Sequence, residues 1–214
     1  MKNINTLVKS LLVLAAGFAI TGCSTVFGPP DREPPASTFQ PEPYRIGVGD
    51  SITINVWRNP ELSQSVGVRP DGYISMPLMG DLKAADRRPE ELALEINNAL
   101  SSVIRNPEVT VIVNNPTSQD YRNRVRATGQ VGSPTSVPHR PGMTVMDLVL
   151  EAGGISPFGA ANRAELKRVI DGESQSFAIR LNDIMRKGDL RTNYELLPGD
   201  VITVPEKQLL RGEL

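Results

Sequence analysis

The 214-residue sequence predicts an α+β chain built from two small units in tandem, each a sheet with one helix. Three observations carry that prediction. Short runs alternate apolar and polar residues at the strand period, two segments repeat at the helical period instead, and breaks rich in Pro, Gly, Asp and Asn separate them. With 39% hydrophobic and 22% charged residues, the composition suits a packed globular core.

The first 43 residues follow different rules. Lys2 and Lys9 are the only charges before Cys23, the run LLVLAAGFAI (11–20) is apolar, and the small residues Thr21 and Gly22 follow it. That is the three-part layout of a secretory signal, expected over 1–22. The apolar run falls short of the roughly 20 residues that a membrane-spanning helix needs. Between Ser24 and Pro43 stand six prolines (29, 30, 34, 35, 41 and 43), so 23–43 is expected to be an extended tether.

From Tyr44 the strand period sets in. Ile52, Ile54 and Val56 alternate with Thr53 and Asn55, and Trp57 stands before the Asn59-Pro60 break, where core packing is its expected role. Val66 and Val68 alternate likewise, and Pro70-Asp71-Gly72 supplies a turn before Tyr73–Met76. Together these suggest a small antiparallel sheet. Arg88-Pro89-Glu90-Glu91 opens a helix, with Pro in the first turn and two acids at the positive end of the dipole. Leu92, Ile96, Ala99, Leu100, Val103 and Ile104 fall on one face, which is expected to be core, with Pro107 as the stop. Val109, Val111 and Val113 form a further strand, and Asn114-Asn115-Pro116 closes the first unit at 44–115.

The second unit is expected over 120–205. Arg124 to Val131 reads as a strand, SPTSVPHRPG (133–142) as a loop, and Thr144 as the cap of a helix to which Asp147 reaches back. That helix ends at Gly153-Gly154. Arg163 to Ile170, a turn at Asp171-Gly172, Gln175 to Leu181 and a last strand Val201 to Val204 complete a β-grasp-like order of strand, helix, hairpin and strand. GVGDSITINV (47–56) and LPGDVITVPE (197–206) echo each other, both placing Gly-Asp just before an alternating strand.

The composition narrows the chemistry. One cysteine and one histidine, His139, exclude a disulfide framework and the usual zinc ligand sets. Residues 1–22 carry two of the 23 basic side chains and none of the 24 acids, so their removal takes the net charge to about −3, and no basic run points to nucleic acid. Gly47-Val48-Gly49-Asp50-Ser51 lacks the third glycine and the following helix of a dinucleotide fingerprint. Asp50, Asp71, Asp81 and Asp200 are candidate glycosidase carboxylates, yet each stands at a glycine-containing turn where a local backbone role is expected. His139, flanked by prolines, is expected to be a solvated loop residue. No catalytic residue, cofactor or metal is expected.

Ile20-Thr21-Gly22-Cys23 resembles the lipobox of bacterial lipoproteins, in which the cysteine sulfur carries a diacylglycerol and becomes the mature N-terminus. The resemblance implies lipidation of Cys23 and, with Ser24 following it, an address on the periplasmic side of the outer membrane of a Gram-negative bacterium. YRIGVGDSITINVWRNPELSQSVGVRPDGYISMPLMGDLKA, the RPEELALEINNAL helix and NPEVTVIV resemble the polysaccharide biosynthesis/export domain of Wza-type outer-membrane export lipoproteins. VRATGQVGSPTSVPHRPGMTVMDLVLEAGGISPFGAANRAELKR is similar to the soluble-ligand-binding β-grasp (SLBB) domain that follows it there, and the wording is also similar to the shorter members found beside exosortase (PEP-CTERM) loci.

This resemblance implies a ring-forming homo-oligomer that passes a polysaccharide outward through a polar lumen, with an inner-membrane copolymerase or chain-length regulator as partner and no bond chemistry of its own. Only EKQLLRGEL (206–214) follows Pro205, where longer members carry more chain. Nine helical residues span about 14 Å against a hydrocarbon thickness near 30 Å. A separate outer-membrane pore is therefore an expected partner. Two other readings stay open at this stage: a glycan-binding periplasmic lipoprotein without a transport role, and a periplasmic glycan hydrolase.

Overall fold

The computed structural model describes residues 33–35 and 42–208. The signal segment, Cys23, most of the tether and residues 209–214 lie outside the described residues. Two hydrophobic cores form, one from residues 46–100 and one from 125–204. The fold is α+β in both.

The first core lies under a three-stranded antiparallel sheet of order β2-β1-β5, where β1 is Ser51–Val56, β2 Gln64–Gly67 and β5 Val109–Asn115. Its central strand buries Ile52, Ile54 and Val56, the residues the strand period selects. A hairpin of β3 (Tyr73–Met76) and β4 (Gly80–Lys83) adds Ile74 and Met76 to this core. Helix α1 (Pro89–Leu100) lies against β5 and inserts Leu92, Ile96 and Leu100. The backbone N–H of Arg88 donates to the Glu91 carboxylate at 3.0 Å, satisfying one donor at the helix start.

Two expectations fail here. Helix α1 stops at Leu100, and Ala99 and Val103 are exposed, while Ile104, beyond the helix end, packs against the core as expected. The hydroxyls of Ser101 and Ser102 donate to the carbonyls of Asn97 and Ala99 at 2.8 and 2.9 Å, a local alternative to continued helix. Trp57 is not core: it is 62% exposed, just beyond the last inward residue, Val56.

Helix α2 (Thr117–Arg122) joins the two units, a short element that buries none of its residues and so carries no apolar period to announce it. The second sheet is five-stranded and mixed, in the order β7-β6-β10-β8-β9: β6 Arg124–Gly129, β7 Thr135–Pro138, β8 Ala164–Ile170, β9 Glu173–Ile179 and β10 Val201–Val204. β10 lies parallel to β6 and antiparallel to β8. Helix α3 (Val145–Glu151) packs against β6 and buries Val145, Leu148 and Val149 over Phe177, Leu166 and Ile202. Its capping box has the predicted form. The Thr144 N–H donates to Asp147 at 2.9 Å, and the Thr144 hydroxyl, then that N–H, hold the Asp147 carboxyl below its ordinary value.

Residues 133–142, expected to be loop, contain β7, paired antiparallel with β6. Pro134 and Pro138 conceal this strand in the sequence, but β7 is an edge, and an edge tolerates a missing N–H.

Candidate functional site

The repeated Gly-Asp turn is one backbone device used twice. At the first copy the Asp50 N–H donates to the Gly47 carbonyl (3.2 Å), and the Gly47 N–H donates to the Asp50 carboxylate (2.6 Å). At the second the Asp200 N–H donates to Leu197 (3.1 Å), and the Leu197 N–H donates to Asp200 (2.8 Å). The third residue of each, Gly49 or Gly199, has φ of 85° or 91°, which a side chain would strain. Each aspartate thereby closes its turn from both ends and launches a core strand.

Their remaining oxygen capacity goes to different partners. Asp50, fully buried, accepts the Tyr44 hydroxyl (2.5 Å), the Ser118 N–H (2.7 Å) and the Ser118 hydroxyl (2.8 Å). It therefore fastens the end of the tether and helix α2 to the first sheet. Burial, then the Asp50 carboxylate, raises the Tyr44 phenol well above its ordinary pKa. Asp200 accepts Arg168 Nε (3.0 Å) and Nη2 (2.7 Å), both side chains almost fully buried, and Arg168 Nη2 also donates to the Glu195 carbonyl (2.8 Å).

Gly47 is in contact with α2 itself. A Cβ built there would stand 2.2 Å from Ser118 Oγ and 2.4 Å from Ser118 Cβ, so Gly47→Ala must displace the helix. We expect it to lower stability by about 1–3 kcal/mol in urea unfolding, with recovery in Gly47→Ala/Ser118→Gly.

The other candidates resolve individually. Asp71 accepts the Tyr73 N–H (3.2 Å) and pairs with Arg69. Asp81 has no such backbone role, contrary to expectation: it pairs with Arg69 (2.9 Å) and accepts the Ser75 hydroxyl (2.6 Å), holding the β3–β4 hairpin. The structure thus brings Asp71 and Asp81 to one arginine and places Asp50 and Asp200 in separate buried networks. His139 is not a solvated loop residue either. It is half-buried, with Nε2 2.8 Å from the Leu196 carbonyl, tying the end of β7 to the segment before β10. Among the described residues no group of three or more His, Cys, Asp or Glu side chains could hold a metal ion, and no helix is long and apolar enough to cross a membrane.

Two concave surfaces accompany this framework. One, of about 400 Å³, lies where the tether enters between the units, lined by Tyr44, Arg45, Asp86, Arg122 and Pro198 among others. The second, about 940 Å³, opens on the C-terminal unit between the 155–163 segment, the wide helical turn Asp183–Lys187 and Lys207. Periodicity could not have found either, because their residues come from segments far apart in the sequence.

Comparison with known proteins agrees with this two-unit construction. Residues 39–114 match the family described as polysaccharide biosynthesis/export protein, and residues 123–204 match the SLBB domain. The EPS I polysaccharide export outer membrane protein EpsA of Ralstonia nicotianae is 30% identical over an alignment covering 78% of this chain and 48% of that protein. The exopolysaccharide production protein ExoF of Rhizobium meliloti is 28% identical, over 80% of this chain and 42% of that protein. The chain thus spans about half the length of the curated relatives it matches. Both folded units, in this order and with these matches, identify the chain as a polysaccharide biosynthesis/export family protein carrying an SLBB domain.

Proposed function

We propose that this protein takes part in exopolysaccharide export from the outer membrane, anchored through acylated Cys23 and assembled into a periplasmic ring. The observation that carries the reading is the pair of family matches over 39–114 and 123–204, in a chain similar to relatives named for polysaccharide export and exopolysaccharide production. The lipobox supports the anchor, since two or more acyl chains hold a protein stably on a bilayer. A ring requires head-to-tail contacts between copies, and a polysaccharide passing through it needs a polar, hydrated wall. The candidate carboxylates support a role without bond cleavage, because each is engaged in holding a turn or hairpin. An inner-membrane chain-length regulator completes the proposed assembly.

Deletion of the gene is expected to abolish secretion of polymer while its synthesis continues. Unchanged secretion in the deletion strain would overturn the reading. Cys23→Ala is expected to move the protein from the membrane fraction to the soluble periplasmic fraction, as fractionation and mass spectrometry of the mature N-terminus would show.

A further inference from the structure

The 940 Å³ cleft of the C-terminal unit has a one-sided charge. Arg163, Arg186 and Lys207 line it, and among the described residues no carboxylate does. Arg163 is held in place by the Glu206 carbonyl, to which its Nη2 donates at 2.8 Å. Neither Arg186 nor Lys207 pairs with an acid among the described residues, whereas Asp183, the carboxylate beside Asn182, is already neutralised by Lys187 at 2.8 Å. The floor is polar as well. Asn162 spends its Oδ1 on the backbone N–H groups of Asn182 and Asp183 (3.0 and 3.3 Å), which fixes the amide and leaves its NH2 as a donor.

An aromatic residue stands in the chain between two residues of this lining, Pro157 and Gly159. Phe158 is 65% exposed, and its carbonyl accepts the Lys207 N–H at 2.8 Å, which joins the backbones that carry the ring and the cation. An exposed ring offers an apolar platform for the CH face of a pyranose. Cations and amide donors beside it match carboxylate and hydroxyl groups.

We propose that this cleft binds a carboxylate-bearing sugar unit of an acidic glycan. The proposal rests on the export reading and narrows the cargo to a polyanion. Arg186 and Lys207 contact the carboxylate, Asn162 donates to a hydroxyl, and Phe158 stacks on the ring. Because Arg186 and Phe158 are exposed and Lys207 is partly so, binding is weak, readily reversed and screened by salt, as a passing chain requires.

Isothermal titration of the detergent-solubilised full chain with hexagalacturonate and with maltohexaose tests this. Binding of hexagalacturonate, weakened by added salt, is expected, with maltohexaose much weaker. Arg186→Ala/Lys207→Ala is expected to reduce hexagalacturonate affinity roughly tenfold. Circular dichroism of this variant should match the parent, since both side chains lie outside the core. Equal binding of the two oligosaccharides, no binding of hexagalacturonate, or undiminished affinity in the double variant would each overturn the cleft assignment. Such results leave the export reading to its own measurement, secretion by the deletion strain.

Discussion

Asp200→Ala is expected to lower the unfolding free energy of the C-terminal unit by about 3–5 kcal/mol, the cost of leaving one member of a buried ion pair without its partner. Arg168 reaches Asp200 from the adjacent strand β8, with 6% of its side chain exposed against 1% for the aspartate. Removal of the carboxylate leaves a buried guanidinium on the face of β8 that also carries Leu166, and the Leu197 N–H loses its acceptor. Both losses act in the same direction. Arg168→Met/Asp200→Leu removes both charges and is expected to recover most of the lost stability, because an apolar pair of similar volume needs no compensation. Urea unfolding of the two variants decides the matter. A double variant as unstable as Asp200→Ala would show that turn closure by Leu197, and not the ion pair, dominates.

Asp50→Ala is expected to be comparably costly and more local in its consequences. Four donors lose one acceptor group: the Tyr44 hydroxyl, the Gly47 N–H, and the Ser118 N–H and hydroxyl. Buried donors without acceptors cost about 1–3 kcal/mol each, and relaxation of α2 into water recovers part of that, so a net loss of about 3–5 kcal/mol is expected. Hydrogen exchange should show the Ser118 amide losing protection in Asp50→Ala and keeping it in Tyr44→Phe. The same cluster has an alkaline limit. The Tyr44 phenol is raised in the folded state, so its contribution is complete below the unfolded pKa of about 10 and is lost as the pH climbs beyond it. The stability difference between the parent and Tyr44→Phe should therefore shrink only above that pH.

The sequence displays the parts of this architecture that depend on period and on caps. Ile52, Ile54 and Val56 alternate because one face of β1 is core, and Thr144 with Asp147 signals the start of α3 wherever it stands. Trp57 was misleading because the alternation ends at Val56, and the residue after a strand is free to face outward. The helical spacing continues through Val103 and Ile104 after Ser101 and Ser102 have ended the helix, so Val103 is exposed although Ile104 still reaches the core. The two Gly-Asp turns were legible as a pair, but their partners were not: Ser118 lies 68 residues from Asp50 and Arg168 lies 32 from Asp200. Separations of that size leave no local trace. The 940 Å³ cleft is invisible for the same reason, being assembled from the 155–163 segment, the 182–186 turn and Lys207.

The order of strands in the C-terminal sheet has a consequence in time. β10 sits between β6 and β8 and is the last of the five to be made. Until Val201–Val204 arrives, the two halves of the sheet share no hydrogen-bonded neighbour, and the inward surfaces that Ile202 and Val204 will cover stay wet. Pairing across such sequence distances is slow because the chain must first close a long loop. In a polypeptide emerging N-terminus first through a narrow translocation channel, the second unit therefore stays threadable until β10 is released, while the first, with a core of its own, does not wait for it.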